Sequence, residues 1–492
     1  MSSGPRLLSI LALIGLSVLF LAPACAGSPQ EELDSLVSPG EQAILLEILG
    51  RIDPPQRIRD LARYGRRQSD LGGGFYGILP DQLADGEAIP VPTDADSRLA
   101  AALHLARQRR DNLDALARFN PEFVTGFTGR PLIQFLAEVE GMGVGSPADR
   151  PDLHLHLDTS ALDGFLEALL DDGEITEQEA SELAALPGNQ AMLQHRRELG
   201  YVPEPLPDTG SLAAMIRLAG STDPLDQLWC WLNPQNAFDY ADLAWHVQEY
   251  RDLVLQLDEN RNGLTGFVLD RIGRFTPPDV SLDATFALTV GWAIRGWVTP
   301  EMAGLNIEQV KDDWRFLLGT MIEETYHRLQ LELIPSPEGR SVSDFSGLVA
   351  VATGAPRYDR FYEILTYTVA EGAANQVRGR FAAADLSAKA AGGAELLDRF
   401  VHDVVLAGAI DEADPLLNEG LKGNGPLYGL GWELAGLVIE ADGPRAMGEL
   451  QRKGPVAFVK RGDGISRLAG EPLLSPAVTA ALDTLQTLLL SR

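Results

Sequence analysis

One short segment of this chain alternates while most of its surroundings repeat with a helical period, and that contrast constrains the fold more than any other feature. Within residues 284–290, Phe286, Leu288 and Val290 alternate with smaller or polar residues, as a strand with one buried face requires. The pattern then turns helical. Trp314, Leu317, Leu318, Met321 and Ile322 keep helical spacing, Asp312 or Asp313 can cap the start, and Pro335 ends the run. Helical patterns also cover 43–49, 98–119, 162–170, 177–186, 193–199, 240–257 and 360–378. The expected fold is α+β, mostly helical, with a small sheet.

A length of 492 residues exceeds one ordinary core, so at least two domains are expected. Gly72, Gly73 and Gly74 and the proline-rich 89–92 interrupt the first helical stretch, and the glycines of 141–147 read as a linker. The division is then 1–26, a helical region of unknown role over 27–148, and a second domain over 149–492. Residues 1–26 carry Arg6, an apolar run over 7–21 and small residues over 22–26, which is the pattern of an export signal. Export implies a periplasmic, extracellular or envelope-attached protein. Cys25 leaves a lipid anchor open beside ordinary cleavage after Ala24 or Ala26. The remaining cysteine, Cys230, has apolar neighbours, so stability rests on packed cores, and a count of 2 cysteines excludes a cysteine-built metal site. Against 40 Lys and Arg stand 70 Asp and Glu, a formal charge of −30 that repels nucleic acid and anionic lipid.

The chemistry-bearing string is Glu323-Glu324-Thr325-Tyr326-His327. Residues four apart on a helix share a face, so Glu323 and His327 can converge on one ion, with Glu371 from the next long helix as a third ligand. Glu324 then stands beside the first ligand, where a general base would act on a metal-bound water. Taken alone, an ExxH string is more often a solvated helix face with an ordinary histidine.

Further blocks raise its weight. Residues 321–330 (MIEETYHRLQ) resemble the HE-x-x-HRLQ helix of a bacterial family of zinc-dependent, gluzincin-like peptidases, a domain of unknown function. Residues 156–160, 175–201, 370–374 (AEGAA) and 426–431 resemble other blocks of that family in order, so the resemblance spans about 150–490. It implies a gluzincin-like metallopeptidase-type domain behind a helical extension. Carried over residue by residue, it makes Glu324 the base, His327 and Glu371 metal ligands, Tyr428 an oxyanion stabiliser, and Glu323 the occupant of the first histidine's place.

That departure matters chemically. Two carboxylates with one imidazole make a harder, more anionic site, so Mn, Fe or Ca compete with Zn as the ion. Glu323, Glu324 and Glu371 brought together would repel unless a metal, a proton or Arg378 intervened. The implied function is an exported metal-dependent peptidase acting on peptide or protein substrates. The alternative is an inactive relative that binds peptides in the retained cleft, with the strand near Phe286–Val290 holding them. On this reading Glu323→His should raise zinc affinity.

Other signals are weaker. Residues 258–269 begin like a calcium loop but end on Leu269 instead of a bidentate Glu. His154 and His156 share a face of an extended segment, yet the local sequence offers no third ligand.

Overall fold

The computed structural model describes residues 28–52, 97–119, 123–124, 126–140, 151–171, 174–198, 208–232, 240–291, 295–334, 351 and 353–491. The export signal, the glycine break at 72–74 and the linker at 141–147 lie outside these residues. The described chain is mostly helical around one four-stranded sheet, which is the expected α+β class.

Helices α1 (Pro39–Arg51) and α2 (Ser97–Phe119) precede strand β1 (Asp152–Asp158). Then follow α3 (Ser160–Asp171), α4 (Pro187–Glu198), α5 (Tyr240–Trp245) and α6 (Arg261–Gly273). Strands β2 (Ser281–Thr289), β3 (Gly296–Val298) and β4 (Met302–Asn306) complete the sheet. Behind it come α7 (Trp314–Leu333), α8 (Pro356–Arg378), α9 (Leu386–Phe400), α10 (Pro426–Asp442) and α11 (Pro455–Leu468).

The strand order is β1-β2-β4-β3, with β1, β2 and β4 parallel and β3 antiparallel to β4. The alternation near residue 286 therefore marks an interior strand paired on both sides, and β2 cannot take up an added peptide strand. That corrects the expectation from sequence. The terminal strands are β1 and β3, the latter too short at three residues to announce itself by periodicity.

Residues opposite one another in register point to the same side, so the faces can be followed across the sheet. Leu153, Leu282, Leu288, Leu305 and Gly296 share one face. It is covered by α6, whose Gly273 lies against Leu153, and by α7, whose Glu324 lies against Gly296. On the other face Gly188 of α4 lies against Ala287 and Thr289. The stretch of that face formed by Asp152, His154, His156 and Asp283 is exposed.

Behind α7, α8 crosses α10 with the backbones in contact. A Cβ on Gly372 would overlap Gly431, and one on Gly431 would overlap the Thr368 carbonyl. Only glycine permits that approach. The hydrophobic core is continuous from Leu33 to Leu485, so the described N-terminal helices share it with the rest of the chain. A buried ionic cluster adds to the docking: Asp242 of α5 faces Lys311 at 3.1 Å and Arg109 of α2 at 3.7 Å, and Arg109 faces Glu41 of α1 at 3.6 Å. Among the described residues no helix is long and apolar enough to cross a membrane.

Candidate metal centre

The start of α7 is fixed by Asp313, whose carboxylate accepts the backbone N–H groups of Arg315 and Phe316. Asp312, the other candidate cap, instead accepts Thr128 N–H at 2.6 Å and Gly129 N–H at 2.7 Å. From there α7 runs buried between the sheet and α8. Three of its buried polar side chains, Glu323, His327 and Gln330, fall at i, i+4 and i+7, one face of the helix. On α8, Glu371 immediately precedes Gly372, so the glycine crossing with α10 also sets the depth of this carboxylate.

The structure brings Glu323, His327 and Glu371 together. One potential ligand atom from each lies within 4.8 Å of the other two, and this buried group could hold a metal ion. His327 Nε2 is 3.5 Å from Glu371 Oε2. On the far side of the ring, His327 Nδ1 is 2.7 Å from Gln330 Oε1, while Gln330 Nε2 donates to the Ala370 carbonyl at 3.0 Å. Because the amide nitrogen of Gln330 is committed to that carbonyl, its oxygen must accept, and the proton sits on Nδ1. Nε2 is thereby turned toward the glutamates. A metal-ligating histidine needs this kind of outer partner to fix its tautomer and orientation.

Glu323 has more partners than an ordinary ligand. Its Oε2 accepts from Arg378 Nη1 at 3.0 Å and lies 3.4 Å from Arg295 Nη2, and its Oε1 accepts from Asn375 Nδ2 at 3.2 Å. Burial works against its charge, but Arg378 and Arg295 overcome that and hold the carboxyl below its ordinary value. Glu324 behaves oppositely. Burial pushes it up to about 8, with Glu323 and Glu371 adding to the rise while His327 and Arg295 oppose it. For His327, burial opposes the imidazolium, but Glu371, Glu324 and Glu323 raise it to about 10.

Two of the three expected means of relieving repulsion are thus built into the protein: Arg378, joined by Arg295, and protonation, since Glu324 and His327 are both pushed toward their protonated forms. The donor set still fits a divalent ion. Glu323 with its guanidinium partner approximates a neutral ligand, His327 presents Nε2, and Glu371 supplies the remaining charge.

Tyr428 is half-buried in the first turn of α10, close enough to Arg295 for the phenol to bear on that guanidinium. Four residues around the site were not singled out from sequence. Gln330 lay inside the quoted motif without a role. Asn375 stands four residues after Glu371, a spacing that marks a shared helix face. Nothing in local spacing points to Arg295 or to His195. The latter donates from Nδ1 to the Val298 carbonyl at 2.9 Å. Burial pushes His195 down to about 4, with Arg196 and His327 adding to the fall, so it stays neutral near His327.

Comparison of the chain with protein-family models, with curated proteins and with solved structures gave no match.

Proposed function

We propose that this protein is a metal-dependent hydrolase of the peptidase type, in which a guanidinium-paired Glu323 stands in for an imidazole ligand. The observation that carries the proposal is the orientation of His327: its Nδ1 is fixed through Gln330 to the backbone beside Glu371, and its Nε2 faces Glu371. Glu323, His327 and Glu371 would hold the ion, with zinc favoured by the imidazole and manganese or iron by the carboxylates. Such an ion supplies Lewis acidity and acidifies a bound water.

The remaining roles belong to the chain. Glu324 lies against Gly296 on the terminal strand and exchanges a proton near neutral pH, which suits a general base that later acts as an acid. Tyr428 and Arg295 offer donors for an oxyanion. β3 aligns an extended substrate, and since His195 already occupies the Val298 carbonyl, the Gly296 end is where a substrate backbone engages. The test is hydrolysis of a mixed peptide library by the natural chain and by Glu324→Gln, with metal content measured on both. Cleavage by the natural chain and a loss of roughly a hundredfold or more in the variant is expected; equal cleavage by both would remove Glu324 from the mechanism.

A second reading rests on a different observation. Arg378 and Arg295 can replace a cation outright, leaving a peptide-binding protein without hydrolysis. It predicts tight peptide binding, no cleavage and no bound metal.

A further inference from the structure

The sheet face opposite α7 carries two histidines that the chemistry above leaves unused. Leu155 and Leu157 of β1 are buried, which anchors the strand in the core, while Asp152, His154 and His156 point outward. The register sets His154 directly opposite Asp283 of β2, with His156 two positions further along. One cross-strand contact is already formed: His156 Nε2 lies 3.1 Å from Asp283 Oδ1. His154 Nε2 lies 3.0 Å from Asp152 Oδ1 on its own strand. Both imidazoles are open to solvent, 62% and 68% exposed, so a ligand reaches them without any rearrangement of the fold.

The missing third ligand noted from the sequence is therefore supplied by strand pairing. We propose that His154, His156 and Asp283 form a second site, on the protein surface, for a divalent transition ion that favours imidazole, such as Zn²⁺ or Ni²⁺. Residues two apart on a strand project from the same face roughly 6.6 Å apart along it, and a neighbouring strand lies about 4.8 Å away. That spacing sets the Asp283 carboxylate against the His156 ring and opposite His154 in register. His154 reaches the ion by turning its exposed ring away from Asp152, a surface contact that contributes little to stability. Two of the three donors are imidazole nitrogens, which disfavours Mg²⁺ and Ca²⁺. Asp283 and the adjacent Asp152 bring carboxylate charge for a dication to offset, and Asp152 can accept an N–H from a ligating ring.

This site is separated from the α7 centre by the sheet itself, because His154 and Asp283 share the face of Ala287 and Thr289, whereas Glu324 lies on the face of Leu288 and Leu305. It stands whatever the fate of the function proposed for that centre.

The experiment is calorimetric titration of the untagged chain with Zn²⁺ near neutral pH, in a His327→Ala background that removes the other centre. One zinc equivalent is expected to remain. It should vanish when His154→Ala and His156→Ala are added and weaken by about tenfold or more with Asp283→Asn. The substituted side chains are exposed, so metal-free melting temperatures should match, and a mismatch is resolved with the single histidine variants. No zinc equivalent in the His327→Ala background, or one that survives loss of both histidines, overturns the site. Undiminished binding by Asp283→Asn overturns the three-ligand assignment.

Discussion

A carboxylate at position 323 adds a negative charge to a buried site, and Arg378 and Arg295 answer it. The sequence suggested that Glu323→His would raise zinc affinity, and the two guanidiniums facing Glu323 argue for the opposite outcome. The substitution takes away the carboxylate that faces both guanidiniums, and breaking a buried pair in this way costs about 3–5 kcal/mol. Glu323→His alone should therefore melt lower and bind zinc no better than the natural chain. Glu323→His with Arg378→Leu should recover zinc binding, measured by calorimetry; if the single variant binds zinc more tightly, the guanidiniums do not govern the site. Gln330→Leu leaves the His327 Nδ1–H buried without its acceptor, so metal affinity should fall about 10–100-fold. Circular dichroism would separate this from unfolding, and unchanged affinity would deny Gln330 its orienting role. Glu323, Glu324, His327 and Glu371 were legible because helical spacing and motif order survive in the sequence. Arg295 and His195 were not, since they reach the site through the turn into β3 and across the sheet, contacts that no local pattern encodes.

Among the elements, the crossing of α8 with α10 decides where Glu371 sits. Gly431→Ala would drive a methyl group into the Thr368 carbonyl, and overpacking of that kind costs about 1–3 kcal/mol or more. The expected outcome is a lower melting temperature together with weakened metal binding, because α8 must shift and carry Glu371 with it. A destabilised variant with unchanged metal affinity would uncouple the crossing from the site. The motif glycines thus have a packing reason that the sequence alone displays only as a pattern. Strand β2 and helix α7 were readable from periodicity because both are long and half or fully buried. The short β3 was not, and its pairing with β4 places it, in place of β2, at the sheet edge proposed to align a substrate.

Across the whole molecule, the ionic cluster beneath α1 and α2 ties the N-terminal helices to the segment leading into α7. Burial opposes the charge of Glu41, but His246 and Arg109 overcome it and hold the carboxyl at about 2 against an ordinary 4.5. A depressed carboxyl contributes stability that is present above the ordinary value and is lost as pH falls through about 2. Acid titration followed by near-ultraviolet circular dichroism should show the N-terminal helices loosening in that window, and Glu41→Gln should be less stable at neutral pH with a flatter acid profile. A profile identical to that of the natural chain would mean the cluster does not hold these helices. The shared core also explains why the chain length, which suggested separate domains, did not reveal how the extension docks. Whether Glu323, His327 and Glu371 hold an ion is read from the metal content of chain purified without chelators, by native mass spectrometry, alongside His327→Ala. With His154 and His156 replaced in both proteins, the expectation is one tightly held divalent ion in the former and none in the latter. An ion-free natural chain that also fails to take up zinc, manganese or iron would contradict it.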